Sequence, residues 1–304
     1  MTVRTIDAHL HLWNRTVSEY AWIRPSLGPL FADFGPDQAR AELDAAGIDA
    51  AVLVQAEDSE VDTRFMLDVA RTHDWVAGVV GWVPLDDPPA ARAALDAFGG
   101  EKTLRGIRHL VHDDPRDDFL DLQEVRESLV AVAEAGLAFD VPDAWPRHLA
   151  GAGRLARAIP GLTIVIDHLA KPPVGGADFE AWRRGFEAVA ALPNTVVKFS
   201  GLHLPGVEFS GASAQPLFEI ALEAFGVDRI MYGGDWPMSL LHGGYGPTWA
   251  VMRSCLDALS VRERDAVLGG TAARVYRLDS QTSDADISAI TERNRRITQE
   301  TSDE

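Results

Sequence analysis

Ile6-Asp7-Ala8-His9-Leu10-His11-Leu12-Trp13 is the stretch that decides how the chain is interpreted. This apolar run predicts a buried strand, in which side chains two positions apart lie on the same face. His9 and His11 should therefore point the same way, about 6.5–7 Å apart along the backbone. Two imidazoles at the end of a strand can chelate one metal ion or bind one carbonyl oxygen. A pair of hydrogen-bonded surface histidines is the alternative without a function.

A second informative stretch lies near the other end of the chain and reads Arg229-Ile-Met-Tyr-Gly-Gly-Asp-Trp-Pro237. It predicts another short strand, which delivers the carboxylate of Asp235 into a loop. A histidine pair after the first strand and an aspartate after the last one favour a functional interpretation of both motifs.

Apolar, β-branched runs alternate with helical segments between these two stretches. Strands are predicted at Arg4–Ala8, Ala50–Gln55, Ala77–Val83, Leu104–Leu110, Leu137–Val141, Leu162–Asp167, Thr195–Ser200 and Arg229–Gly233. Helices are predicted at Pro36–Ala46, Asp62–Thr72, Pro89–Phe98, Leu122–Ala135, Pro146–Ala158, Phe179–Ala191, Ala214–Phe225, Trp249–Leu259 and Val261–Leu268. Near-continuous apolar strands separated by helices indicate a parallel sheet covered by helices. Eight such strands predict an α/β fold, the (β/α)8 TIM barrel.

The barrel is predicted to occupy residues 1–278. A doubly wound open sheet is the competing architecture, but no glycine-rich phosphate loop follows the first strand. The composition changes after Leu278, where polar residues dominate and aromatic residues are scarce. We therefore expect Asp279–Glu304 to form a C-terminal appendage that is helical at Ile287–Ile297.

The composition limits the class of partner. A hydrophobic content of 46% over 304 residues is enough for a full core. The formal net charge of −18 argues against nucleic acid, and no cluster of Lys and Arg suggests a membrane surface. Cys255 is the single cysteine, which excludes an intrachain disulfide. Without a signal-peptide pattern or a transmembrane segment, we expect a cytoplasmic protein, either a monomer or a homo-oligomer.

The C-terminal ends of the strands in such a barrel surround one active site. The candidates for the chemistry are therefore His9, His11, His168 and Asp235. The candidates for substrate contacts are Arg108, His109, Trp82, Trp236, Trp22 and His203. His109 directly follows Arg108 and should face the other way, so its role stays open. Asp7 is expected to support the reacting groups from behind.

This set of residues favours hydrolysis. A carboxylate that faces imidazoles can deprotonate water, while the imidazoles, an arginine or a bound cation polarise a carbonyl group. The combination serves hydrolysis of an ester or an amide. It does not serve hydride transfer, for which the sequence shows no nucleotide site, and no Gly-x-Ser-x-Gly elbow indicates a serine nucleophile.

A family resemblance runs through most of the chain. Its motifs are Asp7-Ala8-His9-Leu10-His11, Gly106-Ile107-Arg108-His109, Asp167-His168-Leu169-Ala170-Lys171-Pro172, Lys198-Phe199-Ser200-Gly201 and Gly234-Asp235-Trp236-Pro237. Together they resemble the amidohydrolase-2 branch of the amidohydrolase superfamily. The chain looks most like its sugar-lactone hydrolases, of the fuconolactonase and rhamnonolactonase type, and its pyrone-dicarboxylate lactonases. This resemblance implies a distorted barrel of the amidohydrolase type and the opening of a lactone ring by water.

The resemblance also implies a role for each matching residue. Asp235 matches the general base, and His9, His11 and His168 match histidines that polarise the carbonyl group or bind a metal. Arg108 matches a region that binds a substrate carboxylate or hydroxyl. The chain's lysines do not lie at the end of strand four or five, where binuclear members carry a carboxylated lysine. Two alternatives stay open: a metal-free site, or a single Zn²⁺ held by His9, His11, Asp235 and His168.

Two other functions compete with a lactonase. The same branch contains zinc-dependent decarboxylases of aromatic and unsaturated carboxylic acids, which use a comparable set of His and Asp around one metal. A non-catalytic barrel that binds a metabolite is the second alternative, although a binding module has no need of a base such as Asp235. The sequence does not identify the lactone or its ring size.

Overall fold

The computed structural model of the chain describes residues 4–203 and 207–278. The predicted appendage Asp279–Glu304 and its helix Ile287–Ile297 lie outside the described residues. The predicted strands and helices that position the site all lie within them.

Eight parallel strands form one sheet within the described residues, paired in the order of the chain. They are β1 (Ile6–Leu10), β2 (Ala50–Val54), β3 (Val76–Gly81), β4 (Leu104–Arg108), β5 (Ala138–Val141), β6 (Ile164–Ile166), β7 (Thr195–Phe199) and β8 (Ile230–Tyr232). The sheet closes where Leu10 bridges Trp236 in parallel. The amide of His11 donates to the Trp236 carbonyl at 2.7 Å, and the amide of Asp235 donates to the His9 carbonyl at 2.8 Å. The predicted (β/α)8 barrel is confirmed.

Helices connect consecutive strands and cover the outside of the barrel. They are α1 (Pro36–Ala46), α2 (Glu60–Thr72), α3 (Pro88–Phe98), α4 (Gln123–Glu134), α5 (Leu149–Ala158), α6 (Phe179–Ala190), α7 (Gly211–Phe225), α8 (Tyr245–Ser254), α9 (Val261–Asp265) and α10 (Thr271–Val275). Short 3₁₀ segments lie at Pro25–Leu30, Phe119–Asp121, Asp167–Ala170, Val227–Arg229 and Met238–His242.

The predicted ends of several elements are corrected by the structure. Strand β6 stops at Ile166 rather than Asp167, because the backbone turns into left-handed conformations from His168 onward. Helix α8 begins at Tyr245 and ends at Ser254, earlier than predicted. The last predicted helix is shorter than expected, and a π-helical turn at Ala266–Gly270 leads into α10, which the sequence analysis missed.

Two apolar clusters hold the barrel together. The larger one lies between the strands and the surrounding helices. The smaller one fills the barrel interior with small and β-branched side chains such as Ala8, Val52 and Val196. Tyr276 and Leu278, at the end of the described chain, join this interior cluster. Burial of about 25 cal/mol per Å² of apolar surface makes such clusters the main favourable contribution to folding.

No helix in the described part of the chain is both long enough and apolar enough to span a membrane. Cys255 is buried against the helices, and burial raises the pKa of its thiol to about 11. That environment is the one expected of a packing residue rather than a nucleophile.

Candidate active site

His9 and His11 lie side by side at the end of β1. Their Nε2 atoms are 3.1 Å apart, and the two rings meet edge to face. His11 Nδ1 lies 2.8 Å from the Val54 carbonyl oxygen, which accepts a hydrogen bond from the protonated nitrogen. The Nε2 atom of a neutral His11 is therefore an acceptor that faces His9. This fixed orientation makes the pair able to bind one shared proton, metal ion or polar atom.

Asp235 reaches the same point from the other end of the sheet. Its Oδ1 lies 3.5 Å from His11 Nε2 and 3.8 Å from His9 Nε2. Burial by itself would raise the pKa of Asp235, but the imidazoles of His168, His11 and His9 outweigh it and hold the pKa well below its usual range. The carboxylate is therefore ionised throughout the physiological range, as a base for water has to be.

Asp7 holds β1 to the loop that carries Asp235. Its Oδ1 accepts from the amides of His9 and Gly234, each at 2.9 Å, and its Oδ2 accepts from the Tyr245 hydroxyl at 2.7 Å. Burial raises the pKa of Asp7 to about 6. These contacts place Asp7 behind the reacting groups, where the sequence analysis expected it.

The segment that carries His168 has an unusual backbone. His168, Leu169, Ala170 and Lys171 all have positive φ angles, between 52° and 60°. Each such residue costs about 1–2 kcal/mol relative to an ordinary conformation, so the surrounding contacts have to enforce the turn. The turn brings the His168 ring to a centroid distance of 4.5 Å from His9.

Ser200 fixes the His168 ring from behind. The Ser200 hydroxyl lies 2.8 Å from His168 Nδ1. The ring also packs against Gly201, where an added Cβ would lie 2.3 Å from Nδ1. Burial lowers the pKa of His168, so the imidazole is neutral at neutral pH. It can donate a hydrogen bond from Nε2 in the tautomer in which Nδ1 accepts from the Ser200 hydroxyl.

A buried charge network lies beneath His9. Lys198 Nζ is 2.6 Å from Asp140 Oδ2, 3.1 Å from Asp167 Oδ1 and 3.1 Å from His9 Nδ1. The Tyr276 hydroxyl donates to the same Asp140 oxygen at 2.7 Å. Burial raises the pKa of Asp140 to about 6. In Asp167, Lys198 and His9 outweigh burial, so its pKa is well below the usual value.

Asp140 is not among the residues predicted from the sequence, and the motifs that contain Asp167 and Lys198 assigned no role to either. The sequence did contain a sign of the network, because Asp140 interrupts the apolar strand Ala138–Val141. A buried aspartate needs a partner. Its partner Lys198 lies far away in sequence, so periodicity within either strand could not identify the pair.

Arg108 connects this network to the site. Its Nη1 lies 3.2 Å from Asp167 Oδ2 and 3.3 Å from His9 Nε2. Its Nε is buried without a hydrogen-bond partner among the described residues. The guanidinium therefore places a permanent positive charge beside the histidines.

These groups border a cavity of about 270 Å³. Five of the predicted site residues line it directly: His11, Trp22, Arg108, His168 and Asp235. Its apolar wall consists of Trp13, Trp22, Ala56, Leu110, Pro142 and Met238. Its remaining polar wall consists of His112, Asp113, Asp143 and Lys171. The combination of apolar wall and converging polar groups is typical of a small-molecule site.

Two of the predicted substrate contacts face away from this cavity. His109 stacks on Phe119 with a centroid distance of 4.2 Å and lies 3.2 Å from an Asp58 carboxylate oxygen. The Trp82 indole donates to His109 Nδ1 at 3.1 Å. Neither His109 nor Trp82 is among the described residues that line the cavity.

Two further predicted contacts lie near the cavity without lining it. Trp236 packs edge to face against Phe34, 5.3 Å between centroids. His203 stacks on His242 at 4.3 Å, and burial lowers its pKa to about 4. Of the predicted tryptophans, Trp22 lines the cavity, and its indole donates to the Ala56 carbonyl at 2.8 Å.

Within residues 4–203 and 207–278, two overlapping groups of side chains could hold a metal ion. His9, His11 and Asp235 form the first, and His9, Asp167 and His168 form the second; the ligand atoms of each group lie within 4.8 Å of one another. Imidazole nitrogens and a carboxylate are a donor set that zinc accepts. The first group fits a single ion by residue type and proximity.

The sequence model of the amidohydrolase family matches residues 6–278. The chain belongs to this amidohydrolase family. The resemblance inferred from the sequence motifs is thereby confirmed.

Two curated amidohydrolase relatives are similar over nearly their full length. An L-fucono-1,5-lactonase from Burkholderia ambifaria is 37% identical over 291 residues, which cover 93% of this chain and 99% of the relative. An L-fucono-1,5-lactonase from Burkholderia multivorans is 32% identical over 286 residues, covering 90% of this chain and 96% of the relative.

A solved structure shares both the fold and part of the sequence. The crystal structure of an amidohydrolase from Burkholderia multivorans with bound zinc superimposes with a TM-score of 0.81 at 30% identity. The match covers 91% of this chain and 100% of that one.

Proposed function

We propose that the protein is a lactonase that opens the ring of a sugar-acid lactone with water. The observation that carries the proposal is the position of Asp235, whose carboxylate faces His9 and His11 at the wall of the cavity. A carboxylate among imidazoles supplies a base for water and donors for a carbonyl oxygen. The similarity to two L-fucono-1,5-lactonases favours a sugar 1,5-lactone as the substrate.

Asp235 is the proposed general base. It removes a proton from a water molecule, whose oxygen forms a bond with the carbonyl carbon of the lactone. The bond between that carbon and the ring oxygen then breaks, and Asp235 returns the proton to the departing oxygen. The carboxylic acid that results ionises in solvent. One proton is thus borrowed and returned, so Asp235 is regenerated in each cycle.

His168 and Arg108 are the proposed donors to the carbonyl oxygen. In the tautomer that donates to the carbonyl oxygen, the neutral His168 ring carries its proton on Nε2 and its Nδ1 accepts from the Ser200 hydroxyl, 2.8 Å away. The fixed charge of Arg108 lies on the other side, 3.3 Å from His9 Nε2. Donors held in place before the reaction stabilise the tetrahedral oxyanion more than the planar lactone.

The site also has the residues to bind one zinc ion. A zinc ion would be held by His9, His11 and Asp235, the group that fits it by residue type and proximity. When bound, zinc would supply a Lewis acid for the carbonyl oxygen. Equilibrium dialysis with zinc tests this assignment directly. We expect stoichiometric binding to be lost in His11→Ala and kept in His73→Ala, at the C-terminal cap of α2.

Hydrolysis of a lactone panel tests the proposed function. Purified protein is assayed with a pH indicator against L-fucono-1,5-lactone, other sugar 1,4- and 1,5-lactones, and pyrone dicarboxylate. We expect rapid acid release from one stereochemical group of sugar lactones. Silence across the panel in a folded, zinc-supplied protein would contradict the proposal. Release of carbon dioxide from an aromatic carboxylic acid in the same preparation would then support the decarboxylase.

A further inference from the structure

Asp143 lines the cavity, and the protein satisfies its carboxylate only in part. It follows β5 in a left-handed backbone conformation, with φ of 45°. Its Oδ1 is buried and has no hydrogen-bond partner among the described residues. Lys171 Nζ lies 3.9 Å from that oxygen and donates to the Gly201 carbonyl at 2.9 Å. The lysine therefore stays beside the carboxylate without saturating it.

Two other residues that line the cavity also have buried polar atoms without a hydrogen-bond partner among the described residues. Arg108 Nε and His112 Nδ1 are buried and lack partners within the described residues. Buried polar atoms in proteins are nearly always hydrogen-bonded. Three residues that line one cavity therefore carry polar groups that the protein leaves partly unsatisfied, and this favours a polar ligand there.

The charges around the cavity restrict what that ligand can be. Among the described residues, the lining includes three carboxylates, Asp113, Asp143 and Asp235, against two permanent cations, Arg108 and Lys171. A substrate with two carboxylates of its own would be repelled by this excess of negative charge. Hydroxyl groups suit the same surface, because each one can donate to a carboxylate and accept from an ammonium or guanidinium group.

We propose that Asp143, beside Lys171, binds neighbouring hydroxyl groups of the substrate and selects an uncharged polyhydroxylated lactone over a carboxylated or unsubstituted one. This inference rests on the proposed lactonase function. Asp143 is a specificity-determining residue here, and it takes no part in moving the proton that Asp235 handles.

The test compares two lactones that share a six-membered ring. L-fucono-1,5-lactone carries hydroxyl groups, and δ-valerolactone carries none. Asp143→Asn keeps the size of the side chain and suits positive φ, but it removes the charge. We expect kcat/KM for the fuconolactone to fall about tenfold, mainly through KM, because hydrogen bonds to charged groups are the stronger ones. The rate with δ-valerolactone should change by less than about twofold.

A second variant removes the acceptor altogether. Asp143→Gly also tolerates positive φ, so its expected loss of about 100-fold on the fuconolactone would come from the missing carboxylate rather than from backbone strain. Asp68→Asn, which removes one exposed carboxylate from α2, is the matched control for net charge. It should leave both rates unchanged.

Each outcome decides between the inference and the function on which it rests. An equal fall on both lactones, or no fall on either, would overturn the role of Asp143. If the wild-type protein opens neither lactone, the lactonase proposal fails first. Binding of the neutral polyol L-fucitol, followed by ligand-observed NMR, then tests the subsite alone. Weaker binding to Asp143→Gly than to the wild type supports it, and equal binding overturns it.

Discussion

Lys198 Nζ lies 2.6 Å from Asp140 Oδ2, and both side chains are completely buried inside the barrel. The same ammonium group contacts Asp167 and His9. Because two carboxylates share this cation in a region without solvent, removal of the cation alone leaves buried charges without compensation. Through Lys198, the network contacts Nδ1 of the His9 ring.

Removal of the Lys198 charge should destabilise the protein strongly. Lys198→Met leaves Asp140 and Asp167 buried without their shared cation, and breaking a buried pair costs about 3–5 kcal/mol. Urea unfolding measures the loss in the free energy of unfolding. The matched control is Lys102→Met, at an exposed position, which should change it by less than about 0.5 kcal/mol.

The double variant Lys198→Met with Asp140→Leu separates charge from packing. It also removes the Asp140 carboxylate, which loses its contact with Lys198 in the single variant, while Asp167 keeps its contact with Arg108. We therefore expect it to recover part of the lost stability. A Lys198→Met protein as stable as the wild type would show that the network contributes nothing.

Gly201 provides a test of how closely His168 has to be positioned. In Gly201→Ala the new Cβ would lie 2.3 Å from His168 Nδ1, at a φ of 55°. The ring has to move, and the hydrogen bond to Ser200 breaks with it. We expect kcat/KM for the lactone to fall at least about 100-fold, as small misplacements of catalytic groups do.

Gly175→Ala is the matched control for backbone strain. Gly175 has a φ of 74°, and a Cβ there would have no heavy atom within 4 Å. This variant should lose about 1–2 kcal/mol of stability and keep wild-type activity. Equal activity losses in both variants would contradict the role assigned to the His168 position.

The pH dependence of the rate should report on His168 rather than on Asp235. The pKa of Asp235 lies well below its usual 3.8, whereas burial lowers that of His168 from 6.5. As the pH falls, His168 gains its proton first, and the imidazolium ion then pairs with Asp235 and weakens the base. We expect kcat/KM to be level between pH 8 and about 6.5 and to fall only below that.

Two variants identify the group whose protonation lowers kcat/KM at acidic pH, the acid limb of the profile. His168→Gln cannot take up that proton, so its low residual rate should lack the limb. His73→Gln, at the C-terminal cap of α2, should retain the wild-type profile. A midpoint at pH 6.5 or above, or an unchanged limb in His168→Gln, would show that another group controls the rate.

The barrel and several of the residues that line the cavity could be predicted, because both depend on local sequence patterns. Each apolar run is long enough to identify a strand, and the ends of parallel strands in a barrel meet at one site. This rule brought together His11, Arg108, His168 and Asp235, which line one cavity. Alternation along a strand also explains why His109 faces away from the cavity while Arg108 faces into it.

The features of the site that could not be predicted depend on contacts between residues that are distant in sequence. The left-handed turn at His168 involves side chains that rarely adopt positive φ, so its sequence carries no glycine signal. Asp140 and Lys198 lie on different strands, and only the closed barrel brings them together. The polar surface at Asp143 is likewise formed by loops after different strands. The extent of the barrel domain to residue 278 and the oligomeric state stay predictions.

The most direct test of the central claim is the initial rate of L-fucono-1,5-lactone hydrolysis by the wild type and by Asp235→Asn. Asparagine tolerates the φ of 51° at this position, so the fold should be unchanged. We predict that kcat falls about 10³-fold, as expected for loss of a general base, with binding of the lactone retained. Asp228→Asn, at an exposed site, should match the wild type. Full activity in Asp235→Asn would contradict the assignment of the base and the mechanism built on it.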